Sequence, residues 1–204
     1  NGGKVDNIEI AKFSQKAENL FFGKPCGLMD QVACAHGGIV AIDFETPASP
    51  VITPLSFDLT AAGYFLCIVN TGGNHADLTE DYASIPAEMK AVAKEMGVSV
   101  LRQTNEATVI EAIPARREKV GDRAILRALH FFAENRRVAL QTSALQNGDV
   151  PAFLAGVRAS GHSSFEYLQN LYTIKDPSCQ GLPLALCLAE RVLDGKVAAC
   201  RVHG

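Results

Sequence analysis

The segment Gly23-Lys24-Pro25-Cys26-Gly27-Leu28-Met29-Asp30-Gln31 puts a carboxylate where a helix is expected to begin. A proline, two glycines and a cysteine precede it, more punctuation than a plain linker needs. Asp30 allows two readings. As a surface residue in a first helical turn it would gain about 0.3–1 kcal/mol from the helix dipole. Facing a ligand, it would sit beside unpaired helix-start N–H groups that bind polar oxygen atoms. There a carboxylate could accept a proton from a substrate hydroxyl, or hold that hydroxyl in line for attack. Gly27 fits both readings, because without a side chain it lets the backbone approach a ligand closely. Spacing alone leaves the choice open.

Other polar residues have plainer explanations. The loop from Thr71 to Tyr82 (TGGNHADLTEDY) follows an apolar run, and His75, Asp77 and Tyr82 could each hydrogen-bond a polar ligand. A stretch of Thr, Gly, Asn and Asp is equally the composition of an ordinary turn. His162 stands beside Ser160 and Ser163, but no G-x-S-x-G elbow surrounds it, and Ser160 or Ser163 is expected to cap a helix. His36, His130 and His203 have no ligand spacing, and Arg116-Arg117 and Arg136-Arg137 read as solvated helix faces. Neither G-x-x-x-x-G-K-[ST] nor G-x-G-x-x-G occurs.

The elements that must position these residues follow from periodicity. Ile10, Phe13, Ala17, Leu20 and Phe21 recur at helical spacing and predict a helix over 8–21 with those residues as its packed face. A second helix is expected from Gly27 to Ala35, opened near Pro25 and stopped by Gly37-Gly38. GIVAIDFET predicts a strand, ETPASPVITP an irregular connection, YFLCIVN (64–70) a buried strand, and GKVAACRVHG a final strand. Between the last two, helical patterns dominate. One should end at Gly97 with Pro86 near its start or at a kink. NEATVIEAIPARRE reads as one short helix or two. A long helix closed by Gly148 should bury Ile125, Leu129, Phe132, Val138 and Leu145. Two more are hinged near Gly161, and GLPLALCLAERVLDG is another, apolar nearly all round. A composition shift near residue 55 divides the chain into 1–55 and 56–204.

Composition narrows the class. The 204 residues are 48% hydrophobic and 20% charged, with a formal net charge of -3 and no basic block, which argues against a non-specific grip on nucleic acid. No apolar run approaches the ~18–20 residues of a membrane span. Six cysteines form no CxxC and no Cys/His cluster, and several lie in apolar runs where a free thiol packs as a small hydrophobe. That usage predicts a reducing, cytoplasmic setting. The ends read as those of a piece of a longer chain.

The run E18-N-x-F-x-G-x-P-C-G-L-M-D-Q31 resembles the segment that bears the active-site aspartate of galactokinases, within the GHMP family of small-molecule kinases. The resemblance continues in order through GGIVAIDFET, VNTGGNHADLTEDYASIPAEM, AENRRVALQTSALQNGD and ACRVHG, nearly the whole chain. It implies an α/β (α+β) two-lobed GHMP kinase fold. Residues 1–55 would be the end of the N-terminal lobe, and 56–204 most of a ferredoxin-like C-terminal lobe. It also implies transfer of the ATP γ-phosphoryl group to the anomeric hydroxyl of galactose. In that scheme Asp30 is base or orienter, Gly27 a backbone contact to the sugar, and Tyr82 the sugar-side tyrosine. ATP and Mg2+ are the implied cofactors. The family's early arginine-and-acid motif and its Gly/Ser-rich phosphate motif are not among these 204 residues. The third glycine-rich motif is reached only at Gly204, and Ile85-Pro86 stand where an arginine pair is usual. The fragment alone is therefore expected to be inactive. A kinase for N-acetylgalactosamine or another sugar, and a non-catalytic sugar sensor, remain alternative readings of the same resemblance.

Overall fold

The computed structural model describes residues 5–23, 26–72 and 78–202, with only the backbone of Thr79. His75, Asp77, Pro25 and His203 lie outside the described residues. The chain divides into two compact units, Asn1–Gly63 and Tyr64–Gly204.

In the first unit, α1 (Asn7–Phe21) starts at Asp6, whose side chain accepts from the Ile8 N–H. α2 (Met29–His36) ends at Gly37, where φ is +68°. β1 (Ile39–Asp43) pairs antiparallel with β2 (Val51–Leu55), with Ile39 opposite Leu55 and Asp43 opposite Val51. β2 corrects the expectation of an irregular connection there. Pro54 is tolerated because each strand of a two-stranded ladder has a free edge. The expected packed face of α1 is also corrected. Ile10, Phe13, Leu20 and Phe21 are exposed, while Ala11 is fully buried. Helical spacing locates an apolar stripe, but burial needs a partner surface, and among the described residues of this unit α2 takes the other side of α1.

The second unit is helical. It contains α3 (Thr79–Glu95), α4 (Glu106–Val120), α5 (Asp122–Gln146), α6 (Val150–Ser163), a π turn (Ser164–Leu168) and α7 (Gly181–Leu193). α5 is the central element and packs on α3, α4 and α6. Val92, Ala93, Leu101, Val109, Ala124, Ala128 and Phe132 form the core between α3, α4 and α5. Gly97 follows α3 at φ +74°, Gly121 separates α4 from α5, and Gly148 closes α5, as glycines in the left-handed region do. Pro86 and Pro114 both lie inside helices, so NEATVIEAIPARRE is one helix and not two. The ordinary donor to the Tyr82 carbonyl would be the N–H of residue 86, which proline lacks. The helix-to-helix hinge near Gly161 is instead a π turn beginning at Ser164.

Of the expected α5 contacts, Ile125, Phe132 and Leu145 are buried, Leu129 is half-buried, and Val138 is exposed because no described residue of the unit covers that side of the helix. Neither 64–70 nor the described part of 195–204 forms a strand. Phe65, Leu66, Ile68 and Val69 are all exposed. An apolar run becomes a buried strand only where a neighbour completes its hydrogen-bond ladder, and the described residues supply none. Cys67 and Cys187 are correspondingly exposed rather than packed.

Candidate functional site

The segment carrying Asp30 is held onto one polar side of α1. Asn19 Oδ1 accepts from the Cys26 N–H at 2.9 Å, and Gln15 Nε2 donates to the Cys26 carbonyl at 3.1 Å. Gln31 Nε2 donates to Glu18 Oε1 at 2.9 Å. Gln15, Glu18 and Asn19 are one helical turn apart, so a single face grips both Cys26 and the start of α2. The sequence reading assigned these residues no role. Their signal was a polar triplet at i, i+3 and i+4 immediately before a glycine and proline.

That grip fixes where α2 begins. Leu28 is its N-cap and provides no side-chain capping bond. Asp30 is therefore in the first turn, exposed, with no hydrogen bond or ion pair among the described residues. Both earlier readings predicted this location. Among the described residues the carboxylate is engaged neither in capping nor in an ion pair, which leaves it able to accept from a hydroxyl. Gly27 is exposed, its φ is not in the left-handed region, and a Cβ there would meet nothing within 4 Å. Neither backbone strain nor packing in the described residues requires a glycine at that position.

Tyr82 belongs to the other unit. It lies in the first turn of α3, 46% exposed, and lines a cavity of about 60 Å³ with Asp81, Ile85, Arg123, Arg127 and Tyr172. Two of the lining residues, Arg123 and Arg127, are ion-paired to Glu88. Arg123 Nη2 donates to Glu88 Oε1 at 2.5 Å, and Arg127 Nη1 to Glu88 Oε2 at 2.9 Å. Arg127 also donates to Ser84 Oγ at 2.9 Å and to the Leu168 carbonyl at 3.1 Å, fastening the π turn to α3. Burial pulls the Arg127 guanidinium below its usual range, opposed by the Glu88 charge, while the hydrogen bond to Glu88 raises Arg123.

The serines beside His162 do not cap helices. Ser163 Oγ meets His130 Nδ1 at 2.9 Å, and Ser160 Oγ donates to Glu134 Oε2 at 2.7 Å, both serines being buried. Desolvation, with the positive charge of Arg137 second, brings His130 down to about 4. His162 itself is exposed and pairs with Glu190 at 2.9 Å. Arg117, Arg116 and Arg136 lie on solvated faces and pair with Asp122, Glu95 and Glu106. Arg137 differs from expectation: its side chain is only 18% exposed because it turns inward to Glu134. Among the described residues no group of three or more His, Cys, Asp or Glu is arranged to hold a metal ion, and no helix is long and apolar enough to cross a membrane. Mg2+ held through one or two carboxylates and nucleotide phosphates would need no such group.

Residues 1–38, which include Gly27 and Asp30, match the GHMP kinases N terminal domain. The chain is 35% identical to galactokinase of Glaesserella parasuis over 72% of its own length and 37% of that protein, and 36% identical to galactokinase of Actinobacillus pleuropneumoniae over 76% and 39%. It is 30% identical to galactokinase of Mycobacterium tuberculosis over 74% and 40%. It thus spans roughly two fifths of the length of these curated relatives. The fold resembles the crystal structure of Lactococcus lactis galactokinase complexed with galactose, with a TM-score of 0.67, covering 93% of this chain and 47% of that one at 23% identity. A mixed helix-and-strand fold of that type, a GHMP kinase match over residues 1–38 and sequence similarity over some three quarters of the residues agree: the chain is similar to part of a galactokinase.

Proposed function

We propose that the protein carrying this chain is a galactokinase, transferring the γ-phosphoryl group of ATP to the anomeric hydroxyl of galactose. The observation that carries the reading is Asp30: it falls inside the matched GHMP segment, at a helix start, exposed and without a partner among the described residues. In the reaction the anomeric oxygen attacks the γ-phosphorus as the bond from that phosphorus to the β–γ bridging oxygen breaks, and ADP leaves. The hydroxyl proton passes to the Asp30 carboxylate, or stays hydrogen-bonded to it while the oxygen is held in line. Asp30 is in the first turn of α2, beside helix-start N–H groups that can help fix a sugar oxygen, and this supports the orienting role. Gly27, lacking a structural need for its missing side chain, supplies close backbone approach to the sugar, and Tyr82 a hydroxyl on its own unit. ATP is the co-substrate, and Mg2+ when bound with it would offset phosphate charge. Residues 1–55 and 56–204 would serve as the end of one lobe and most of the other, in a cytoplasmic enzyme.

The test is a substrate panel on the full-length protein with ATP, comparing galactose, N-acetylgalactosamine and other hexoses. Phosphorylation of galactose with the highest kcat/KM is expected. Preference for another sugar would reassign the substrate, and sugar binding without turnover would make the protein a sensor. The 204 residues alone are expected not to turn over.

A further inference from the structure

Residues 196–202 follow α7 and form no strand, yet side chains of α6 hold them in place. Arg158 Nη2 donates to the Lys196 carbonyl at 3.0 Å and also to the Ala198 carbonyl. Two residues further along α6, Ser160 Oγ accepts from Arg201 Nη1 at 2.5 Å and donates to Glu134 Oε2 at 2.7 Å. Glu134 is paired in turn with Arg137. Hydrogen bonding therefore runs in one direction, from Arg201 through Ser160 to the carboxylate. Ser160 gives its single hydroxyl hydrogen to Glu134, which leaves its lone pairs for the guanidinium. Its side chain is only 1% exposed, so water cannot replace either bond. Among the described residues Arg201 has no carboxylate of its own and reaches Glu134 only through this serine.

Gly161 completes the seat. It lies in the last turn of α6 without a left-handed φ, so the backbone does not require a glycine there. Space does. A Cβ would stand 3.0 Å from Arg201 Cβ and 3.5 Å from the Cys200 carbonyl oxygen, so its neighbour would have to give by a few tenths of an ångström. Val202, the next residue along, is half-buried and lines the cavity beside Tyr82. Consecutive Cα atoms are only about 3.8 Å apart, so a displaced Arg201 carries Val202 with it.

We propose that Ser160 and Gly161 are positioning residues that seat Arg201 and thereby fix Val202 as a wall of the Tyr82 cavity, which rests on the reading of Tyr82 as the sugar-side tyrosine and adds the residues that shape that side. Both act through the 200–202 segment and touch no substrate. The test uses the full-length protein as wild type, Ser160→Ala, Gly161→Ala, Val202→Ala and the double variant Ser160→Ala/Val202→Ala. Hydrogen exchange in the peptide covering 196–202 is expected to quicken about tenfold or more in Ser160→Ala and Gly161→Ala, with the α3–α4 core unchanged. KM for galactose should rise about fivefold in both, with kcat within about twofold of wild type. Alanine is the better helix former, so a raised KM in Gly161→Ala cannot come from a weakened α6. In the double variant KM should match that of Val202→Ala alone, because Ser160 acts through Val202. Unchanged exchange at 196–202, an unchanged KM in an enzyme that turns over, or additive effects of Ser160→Ala and Val202→Ala would each overturn the proposal. If Ser160→Ala fails to fold, Gly161→Ala and its double with Val202→Ala decide in the same way. A wild type that does not phosphorylate galactose sinks the kinase reading, and exchange at 196–202 then decides the seat by itself.

Discussion

Arg127 on α5 and Glu88 on α3 meet at 2.9 Å, with the arginine side chain only 3% exposed. The same carboxylate holds Arg123, and Arg127 reaches on to the Leu168 carbonyl, so one glutamate ties together two helices and the turn beside the Tyr82 cavity. Glu88→Ala leaves a buried cation uncompensated and is expected to cost about 3 kcal/mol. The readout is the urea midpoint of the transition that reports on α3 and α5. A loss under about 1 kcal/mol would show the pair to be dispensable.

His130 gives the helical unit an acid sensitivity. Its folded pKa of about 4 lies below the 6.5 of an unperturbed imidazole, so below pH 6.5 the unfolded chain takes up a proton that the folded chain refuses. Stability from this residue is fully present above pH 6.5 and declines as pH falls toward 4, by up to about 3 kcal/mol. Unfolding free energies of wild type and His130→Gln between those two pH values check this, the variant showing the shallower slope.

Asp30→Asn removes charge but not shape from an exposed side chain with no partner among the described residues. Stability should change by less than about 0.5 kcal/mol. In the full-length enzyme kcat should fall by about 10²-fold or more. Near-normal turnover would take Asp30 out of the reaction.

Two glycines should respond in opposite ways. At Gly97 a Cβ has open space but φ is +74°, so Gly97→Ala is expected to destabilise by about 1 kcal/mol without touching sugar kinetics. At Gly27 neither space nor φ objects, so Gly27→Ala should leave the melting temperature in place and raise KM for the sugar. A KM unchanged in Gly27→Ala would remove its backbone from the sugar contact.

The residues on either side of these sites show what could be read from order alone. The helix over 7–21, the start of α2 near Asp30, the Gly37, Gly97 and Gly148 stops and the long α5 are local events, set by propensity, caps and glycine within a few residues of each other. The D-Q segment, inside the matched residues 1–38, pointed to the GHMP kinases for the same reason, since a motif is a local pattern. Partner choice is not local. Which side of α1 is covered, whether YFLCIVN finds a ladder, and that Val51–Leu55 pairs with Ile39–Asp43 depend on surfaces far away in sequence. So do the inward turn of Arg137 and the burial of Ser160 and Ser163. Burial and electrostatic pairing arise only when separate segments meet, and that is why the tertiary structure alone decided them.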